Sequence, residues 1–474
     1  MQEISKLTFN EALKKFEKIE KDLKLDESLI NDIYWWDSVR YPLFQDILRQ
    51  LNLLENLYDS GKPLSRFLKI KKKLSIILRA SKIFFPRSPL WISTKSVIIW
   101  GHPRRKFDNG SYVDIYSDPF VKLLPESANY SVLERVEGQG HLTPVPTKNI
   151  YYAERLLALG QIFSLCKSFF VKVKIEGTVA KELEKRLLHD FRLNYNLSER
   201  ITRSICNWWS SESVMRLFFI IKKPSHFFII VSAGHEGIVS AAKSAGIPTY
   251  ELQHGSPARG KLNYDYTSGI KKRSFPDYFL SFGDYWTNGI PFPIPKEKIF
   301  SFGYPYLFRK IGNYSTANKE NTLLVISQPV HAKKLATFAI KILALKNNSI
   351  KVVFKPHPAE YKGMEPNYFH ELREAGVTIS DKNEDLYLLL SKAKWQVGVY
   401  STALYEGLAF KAALFLLPLA GYEHMLPLVN SELAKVVESD HNLDFSWKVN
   451  QESINKLFSA PSKERISTIL RYQA

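Results

Sequence analysis

A chain of 474 residues is too long for one ordinary core, so two domains of roughly 150 to 250 residues are expected. Its 45% hydrophobic and 24% charged content is that of a globular protein and excludes a disordered or low-complexity chain. The formal net charge of +19 asks for an anionic partner: nucleic acid, a membrane surface or an acidic substrate.

The two cysteines, Cys166 and Cys206, lie far apart and have no metal-ligand spacing. They argue against a disulfide or zinc framework and for a reducing compartment. No hydrophobic signal segment opens the sequence, and no window supplies the ~18 uncharged apolar residues that a membrane span needs. The best stretch, Leu217 to Val231, is cut by Lys222-Lys223-Pro224. The expectation is a cytoplasmic chain, with the inner face of the cytoplasmic membrane as a possible peripheral surface.

Residues 4 to 25 carry apolar side chains at helical spacing (Ile4, Leu7, Phe9, Leu13, Phe16, Ile19, Leu23), which predicts an amphipathic helix. A second helical stretch runs from Ser28 through Leu57. From Arg66 to Arg87 come eight Lys or Arg and no acid, interleaved with Leu, Ile and Phe. That segment fits an anionic membrane surface, or equally a helix with an apolar core face and solvated lysines. Ser96 to Trp100 reads as the first buried strand. It ends in Gly101-His102-Pro103-Arg104-Arg105, and Gly110 to Pro119 follows. This is either a turn-rich surface hairpin or a site edge where Arg104, Arg105 and Asp114 meet an acceptor.

Helices are expected from 150 to 222. Strand and helix then alternate, with strands at His226–Val231, Pro248–Leu252, Asp277–Phe282 and Lys298–Phe302, as in a parallel βαβ series. The polar stretch 310–321 reads as a linker. A second series has strands at Thr322–Ser327, Ile350–Phe354, Val377–Ser380, Gln396–Tyr400 and Ala412–Leu417, and a helical tail covers 450–472. The expected organisation is α/β: a helical N-terminal extension (1–95), a first Rossmann-like domain (96–310), a second (322–450) and a C-terminal helix (451–474).

Chemistry-bearing residues collect at strand ends, where open α/β sheets bind ligands. In the second series, Lys355-Pro356-His357-Pro358 sets a cation and an imidazole on a stiff turn, suited to a phosphate. Ser401 and Thr402 sit where a strand feeds a helix, so hydroxyls and free backbone amides meet at an anion site. Glu406 shares a helix face with Thr402 and is placed to accept from a ribose. In the first series, Gly234-His235-Glu236-Gly237 and Gln253-His254-Gly255-Ser256 present His235, Glu236 and His254 as candidate proton acceptors. Each also has an ordinary reading as a stiff turn, an N-cap or a capping hydrogen bond.

Together, His-Glu-Gly, His-Pro and Ser-Thr resemble the motifs of bacterial GT-B glycosyltransferases that use CMP-activated acidic sugars, namely the sialyltransferases, polysialyltransferases and capsule Kdo transferases. The resemblance covers roughly residues 225 to 420. It implies two Rossmann-like domains facing a cleft, Glu236 as base on the acceptor hydroxyl, and His357, Ser401 and Thr402 on the nucleotide phosphate. His235 stands where that family has Asp or Glu. Gln253-His254-Gly255-Ser256-Pro257 with Tyr400-Ser401-Thr402 also resembles the CDP-glycerol and CDP-ribitol polyol-phosphate transferases of teichoic acid synthesis, which implies a catalytic His254.

The expected activity is transfer from a nucleotide-sugar donor, best a CMP-linked Kdo or sialic acid, to an anionic glycan or lipid-linked acceptor of a bacterial surface polysaccharide. No metal or cofactor is expected, since no Asp-x-Asp motif occurs, and no nucleic-acid partner. Alternatives are a CDP-polyol phosphotransferase, a UDP-sugar transferase or 2-epimerase on the same fold, and a non-enzymatic polyanion binder.

Overall fold

The structure, a computed structural model, describes residues 7–51, 53, 66–136, 140–175, 177–315, 317–345, 349–361, 364–438 and 443–471. The sequence expectations for residues 4–6 and for 54–57 lie outside them. The chain divides into two compact units. The first comprises Met1–Ser281, Thr287–Phe300 and Ser462–Ala474; the second comprises Phe282–Trp286 and Ser301–Pro461.

The first unit is built on a seven-stranded sheet of β1 (Val97–Trp100), β4 (Tyr130–Glu134), β5 (Ile150–Tyr152), β6 (His226–Ile229), β7 (Thr249–Leu252), β8 (Tyr278–Ser281) and β9 (Ile299–Ser301). Two further short strands, β2 (Lys106–Asp108) and β3 (Ser111–Val113), form an antiparallel hairpin. The order across the large sheet is β5-β4-β1-β6-β7-β8-β9, with parallel pairing from β5 through β8. All four residues of β1, β7 and β8 are buried, as expected for strands covered on both faces. The chain leaves β1 in one direction for β4 and β5, then returns beside β1 as β6. The switch point therefore lies outside the carboxyl ends of β1 and β6, where a crevice opens in such sheets.

Helices α1 (Phe9–Asp22), α2 (Trp36–Gln50) and α3 (Arg66–Ser81) precede the sheet, and α4 (Ser117–Val121) follows the hairpin. Then come α5 (Ala153–Phe170), α6 (Val179–Phe191), α7 (Leu197–Lys222) and α8 (Glu236–Ser244). A Thr8 capping box starts α1, with the Glu11 carboxylate and the Thr8 hydroxyl satisfying each other's backbone amides. The second helix starts at Trp36 rather than near Ser28, because Asn31 and Asp32 take left-handed backbone angles that no α-helix accepts.

Helices α1 and α2 share one core with α6 and α7, and that core includes Leu262, Tyr266 and Ile270 from the loop after β7. Polar bonds fix the same loop. The buried Arg40 guanidinium clasps Glu20 and donates to the carbonyls of Leu262 and Asp265. Ser274 donates its amide and hydroxyl to Asp37. The helical region thus builds the back wall of the loop that His254 opens.

The second unit holds a six-stranded sheet of β10 (Glu320–Ile326), β11 (Lys351–Lys355), β12 (Thr378–Ile379), β13 (Ala393–Gly398), β14 (Ala413–Leu416) and β15 (Ala434–Val436). Its order is β12-β11-β10-β13-β14-β15, parallel throughout. Its helices are α9 (Pro305–Asn313), α10 (Ala332–Leu345), α11 (Asn367–Glu374), α12 (Leu386–Lys392), α13 (Thr402–Ala409), α14 (Leu426–Asn430) and α15 (Gln451–Leu457); the last helix of the chain, α16 (Lys463–Arg471), belongs to the first unit. Here the switch falls between β10 and β13. The stretch 310–321, expected as a linker, is helical through Asn313 and strand from Glu320. Lys310 gives the reason: its buried ammonium pairs with Asp385, so a polar residue serves the interior.

The α/β class with two Rossmann-like units and a helical N-terminal region is therefore present, as the GT-B resemblance implies. Among the described residues no helix is long and apolar enough to cross a membrane.

Candidate active site

At the switch point of the first sheet lies a cavity of about 630 Å³. The strand-end segment 102–106 after β1, Ile115 and Tyr116, Arg135 after β4, Val231 and His235 after β6, and His254 after β7 line it. Four strand ends thus contribute, and none of the lining residues is an Asp or Glu. Such a wall favours an anion.

His254 carries a buried orphan nitrogen. Its Nδ1 is sealed from solvent and has no hydrogen-bonding partner among the described residues. Its carbonyl accepts from the Tyr116 hydroxyl at 2.8 Å, which fixes the backbone that carries the ring. The His102 ring stacks against it at 6.2 Å between centroids. Burial, helped by the charges of His102, Lys261 and Arg104, pushes the His254 imidazole down to about 4. It is therefore neutral near pH 7 and free to accept a proton.

His235 lines the same cavity but is pinned. Its Nε2 lies 2.6 Å from Arg135 Nη1, and its Nδ1 faces the Ala233 carbonyl at 3.3 Å. Burial, then Arg135, lowers it to about 3. Glu236 sits elsewhere. It lines a separate cavity of about 240 Å³ beside Arg200, Asn207 and Trp208. Its Oε1 is 3.2 Å from the buried Lys272 ammonium and accepts from Gly234 N at 3.0 Å. Burial alone would lower Lys272, but the Glu236 and Asp37 carboxylates hold it well above its ordinary value. The pair is a structural tie from the β6 turn to the loop that His254 opens.

The predicted acceptor residues divide likewise. Arg104 lines the cavity. The Arg105 guanidinium is locked between Glu134 and Asp118 and also donates to the Tyr112 carbonyl. Asp114 is buried and accepts from the amides of His102, Tyr116 and Ser117 and from the Ser117 hydroxyl. It organises the strand-end loop and does not line the cavity.

In the second unit, His357 is exposed on its turn. Glu360 shapes that turn: it accepts from His357 N at 2.9 Å and from the Ser327 and Tyr368 hydroxyls, while His357 Nδ1 accepts from Ala359 N. Lys355 donates its ammonium to the carbonyls of Asp381 and Glu384, at 3.0 and 3.1 Å. Ser401 is the N-cap of α13, its hydroxyl accepting from Ala403 N, and Thr402 is the exposed first residue. Glu406 lies half-buried one turn on. At the switch point itself, Tyr400 N donates to Gln328 Oε1 at 2.9 Å, joining the ends of β13 and β10. Gly421 closes the neighbouring loop on the Tyr400 ring. Its φ is +93°, and a Cβ there would meet that ring at 2.4 Å.

Ser401, Thr402 and the start of α13 thus share the β13 end, while Lys355 and His357 stand at the end of β11, with β10 between them. Among the described residues no three His, Cys, Asp or Glu side chains gather in a way that could hold a metal ion. Arg135, Tyr116, His102, Gln328 and Glu360 were not among the predicted site residues. Only His102, beside Pro103 at a predicted strand end, carried a signal that could have found it.

No protein-family signature matches the chain, and no curated protein matches it in sequence. Among solved structures, UDP-GlcNAc 2-epimerase from Neisseria meningitidis bound to UDP-GlcNAc aligns with 80% of this chain and 92% of its own, at 13% identity and a TM-score of 0.44. The wall teichoic acid polymerase TagF aligns with 87% of this chain and 98% of its own, at 11% identity and 0.44. Acinetobacter baumannii MurG aligns with 80% and 100%, at 11% identity and 0.41. Likenesses this distant carry no argument about activity, and the α/β class rests on the two parallel sheets themselves.

Proposed function

We propose that this chain is a glycosyltransferase that moves a sugar from a nucleotide-activated donor to a hydroxyl of an anionic glycan or lipid-linked acceptor in bacterial surface-polysaccharide synthesis. The supporting observation is the cavity at the first switch point, which combines an acid-free cationic wall with a neutral histidine whose Nδ1 is unpartnered. The acceptor oxygen attacks the anomeric carbon and forms the new C–O bond. The bond from that carbon to the donor phosphate breaks, and the nucleotide leaves with the electron pair. The hydroxyl proton passes to a ring nitrogen of His254. His357 and the Ser401 and Thr402 hydroxyls bind the nucleotide phosphate, using the partial positive charge of the α13 N-terminus. A CMP-linked acidic sugar, Kdo or sialic acid, is the preferred donor.

A second reading, CDP-polyol phosphate transfer, is favoured by one observation. His254 lines the cavity, while the Glu236 carboxylate is engaged by Lys272. In that reaction the acceptor oxygen attacks phosphorus and CMP leaves.

The test is donor consumption across CMP-Kdo, CMP-sialic acid, CDP-glycerol, CDP-ribitol and UDP-GlcNAc, with and without an anionic acceptor glycan. Acceptor-dependent consumption of a CMP-sugar is expected. Consumption of a CDP-polyol instead establishes the second reading. Acceptor-dependent consumption of UDP-GlcNAc keeps the transferase and replaces the preferred donor; consumption of UDP-GlcNAc without acceptor, or of no donor, overturns both.

A further inference from the structure

Helices α5 and α7 pack on the first sheet, and α5 lies between α3 and α7. The α5–α7 approach is so close at Gly160 that a Cβ there would fall 1.8 Å from the Ser210 carbonyl oxygen. Inward residues of this layer, among them Leu156, Met215, Phe218 and Phe219, bury themselves in the core against β1 and β6. The outward stripes should then be polar, and they are not.

On α5, Leu159, Phe163, Cys166 and Phe170 follow at helical spacing and are all exposed; Phe169 and Phe170 stand 83% and 88% open. On α3, Ile77 and Leu78 are exposed, and the turn that follows adds Phe84 at 74%. On α7, Leu217, at 60%, and Ile220 and Ile221 repeat the pattern. Single exposed hydrophobes are ordinary, but one apolar stripe on each of three adjacent helices marks an interaction surface.

Charge selects the occupant. From residue 66 to 107 the chain contains no Asp or Glu but nine Lys or Arg before Ser96. Arg79, Lys82, Arg87 and Lys95 are exposed beside the α3 stripe. Lys172 and Lys174 follow the end of α5, and Lys223 flanks the α7 stripe, again exposed, while Arg216 beside it pairs with Glu212. Aromatic and aliphatic side chains ringed by cations match the acyl and headgroup layers of an anionic bilayer.

We infer that the outer face of α3, α5 and α7 is a monotopic membrane-docking surface that seats the first unit on an anionic lipid leaflet. Exposed apolar side chains enter the headgroup–acyl boundary, and the lysines and arginines hold the acidic headgroups. The α3 part follows from the basic segment seen in the sequence; the α5 and α7 parts emerge only when the helices are packed. The inference does not depend on which donor the enzyme uses.

Cys166, on the α5 stripe, supplies the probe. The full-length Cys206→Ser protein, labelled at Cys166 with an environment-sensitive dye, is mixed with vesicles of phosphatidylcholine alone or with phosphatidylglycerol. Vesicle co-flotation and a blue-shifted emission are expected only with the anionic vesicles, weakening as salt rises. The Phe169→Ser/Phe170→Ser variant is expected to bind at least about tenfold more weakly. An Arg79→Glu/Lys82→Glu variant, which leaves the apolar stripe intact, is expected to lose the preference for acidic lipid. Absence of flotation with unshifted dye overturns the inference. So does a blue shift without lipid that tracks self-association, which would make the face an interface between copies of this chain.

Discussion

The two sheets place chemistry at the same topological position and build it in opposite ways. At the carboxyl ends of β1, β4, β6 and β7 the groups are imidazoles and guanidinia around a cavity, and burial has lowered His102, His235 and His254. At the ends of β10, β11 and β13 the site is an exposed histidine, a capping serine and the amides of a helix start. The first arrangement holds its imidazoles neutral, because burial disfavours the charged form. The second, in the proposed reading, meets an anion with hydroxyls and a helix N-terminus whose partial charge does not titrate. A switch point fixes only where a site lies; solvent access decides what it can do.

The proposed assignment of His254 as the base requires Glu236 to be structural. Lys272→Met removes the buried ammonium that pairs with Glu236 and is expected to destabilise the first unit by about 3–5 kcal/mol, read by urea unfolding. A loss below about 1 kcal/mol, on the scale of a surface ion pair, would mean that the pair is not holding buried charge, and would return Glu236 to contention.

His357→Ala strikes the exposed site. A fall in kcat/KM of about a hundredfold, with an unchanged melting curve, is the expected result in a transfer assay with the accepted donor. Wild-type turnover would remove His357 from phosphate binding.

The pH response separates the two regions further. His254 and His235 are depressed below the unfolded histidine value of 6.5, to about 4 and about 3. Between those values and 6.5 the unfolded chain binds more protons than the folded one, so stability falls as pH is lowered through that window. Melting temperatures measured from pH 7 to 4 should decline, less so in His254→Asn. The acid limb of kcat/KM should lie near pH 4 to 5; a limb at 6.5 would show an ordinary, solvated histidine as base.

Ser401→Ala has the smallest expected effect. It loses an N-cap worth about 1 kcal/mol and raises the donor KM severalfold. A changed melting curve with unchanged KM would reduce Ser401 to a cap alone.

Most of this framework was legible in the residues. Ser96–Trp100, Phe227–Ile229 and Leu323–Ile326 announce themselves as apolar runs because their strands are covered on both faces. Strand β4 did not. It offers only Val132 and Leu133 as aliphatic residues, and its buried Glu134 is tolerated because Arg105 and His141 reach it from elsewhere in the chain. Missing β4 meant missing Arg135, which follows it into the cavity. His254 could be picked out as a glycine-flanked imidazole at a strand end. That Glu236 is tied up could not, since Lys272 lies thirty-six residues away and meets it only through the packing of the loop on the N-terminal helices. Local pattern shows where a side chain starts; long-range pairs decide whether it is available.

The most direct test of which group removes the proton compares His254→Ala with Glu236→Gln in one transfer assay, after both are shown folded and able to bind nucleotide. We expect His254→Ala to lose about 10³-fold in kcat and Glu236→Gln to stay within about tenfold of wild type. The reverse order, with His254→Ala active and Glu236→Gln dead, would contradict the assignment of the cavity histidine as base.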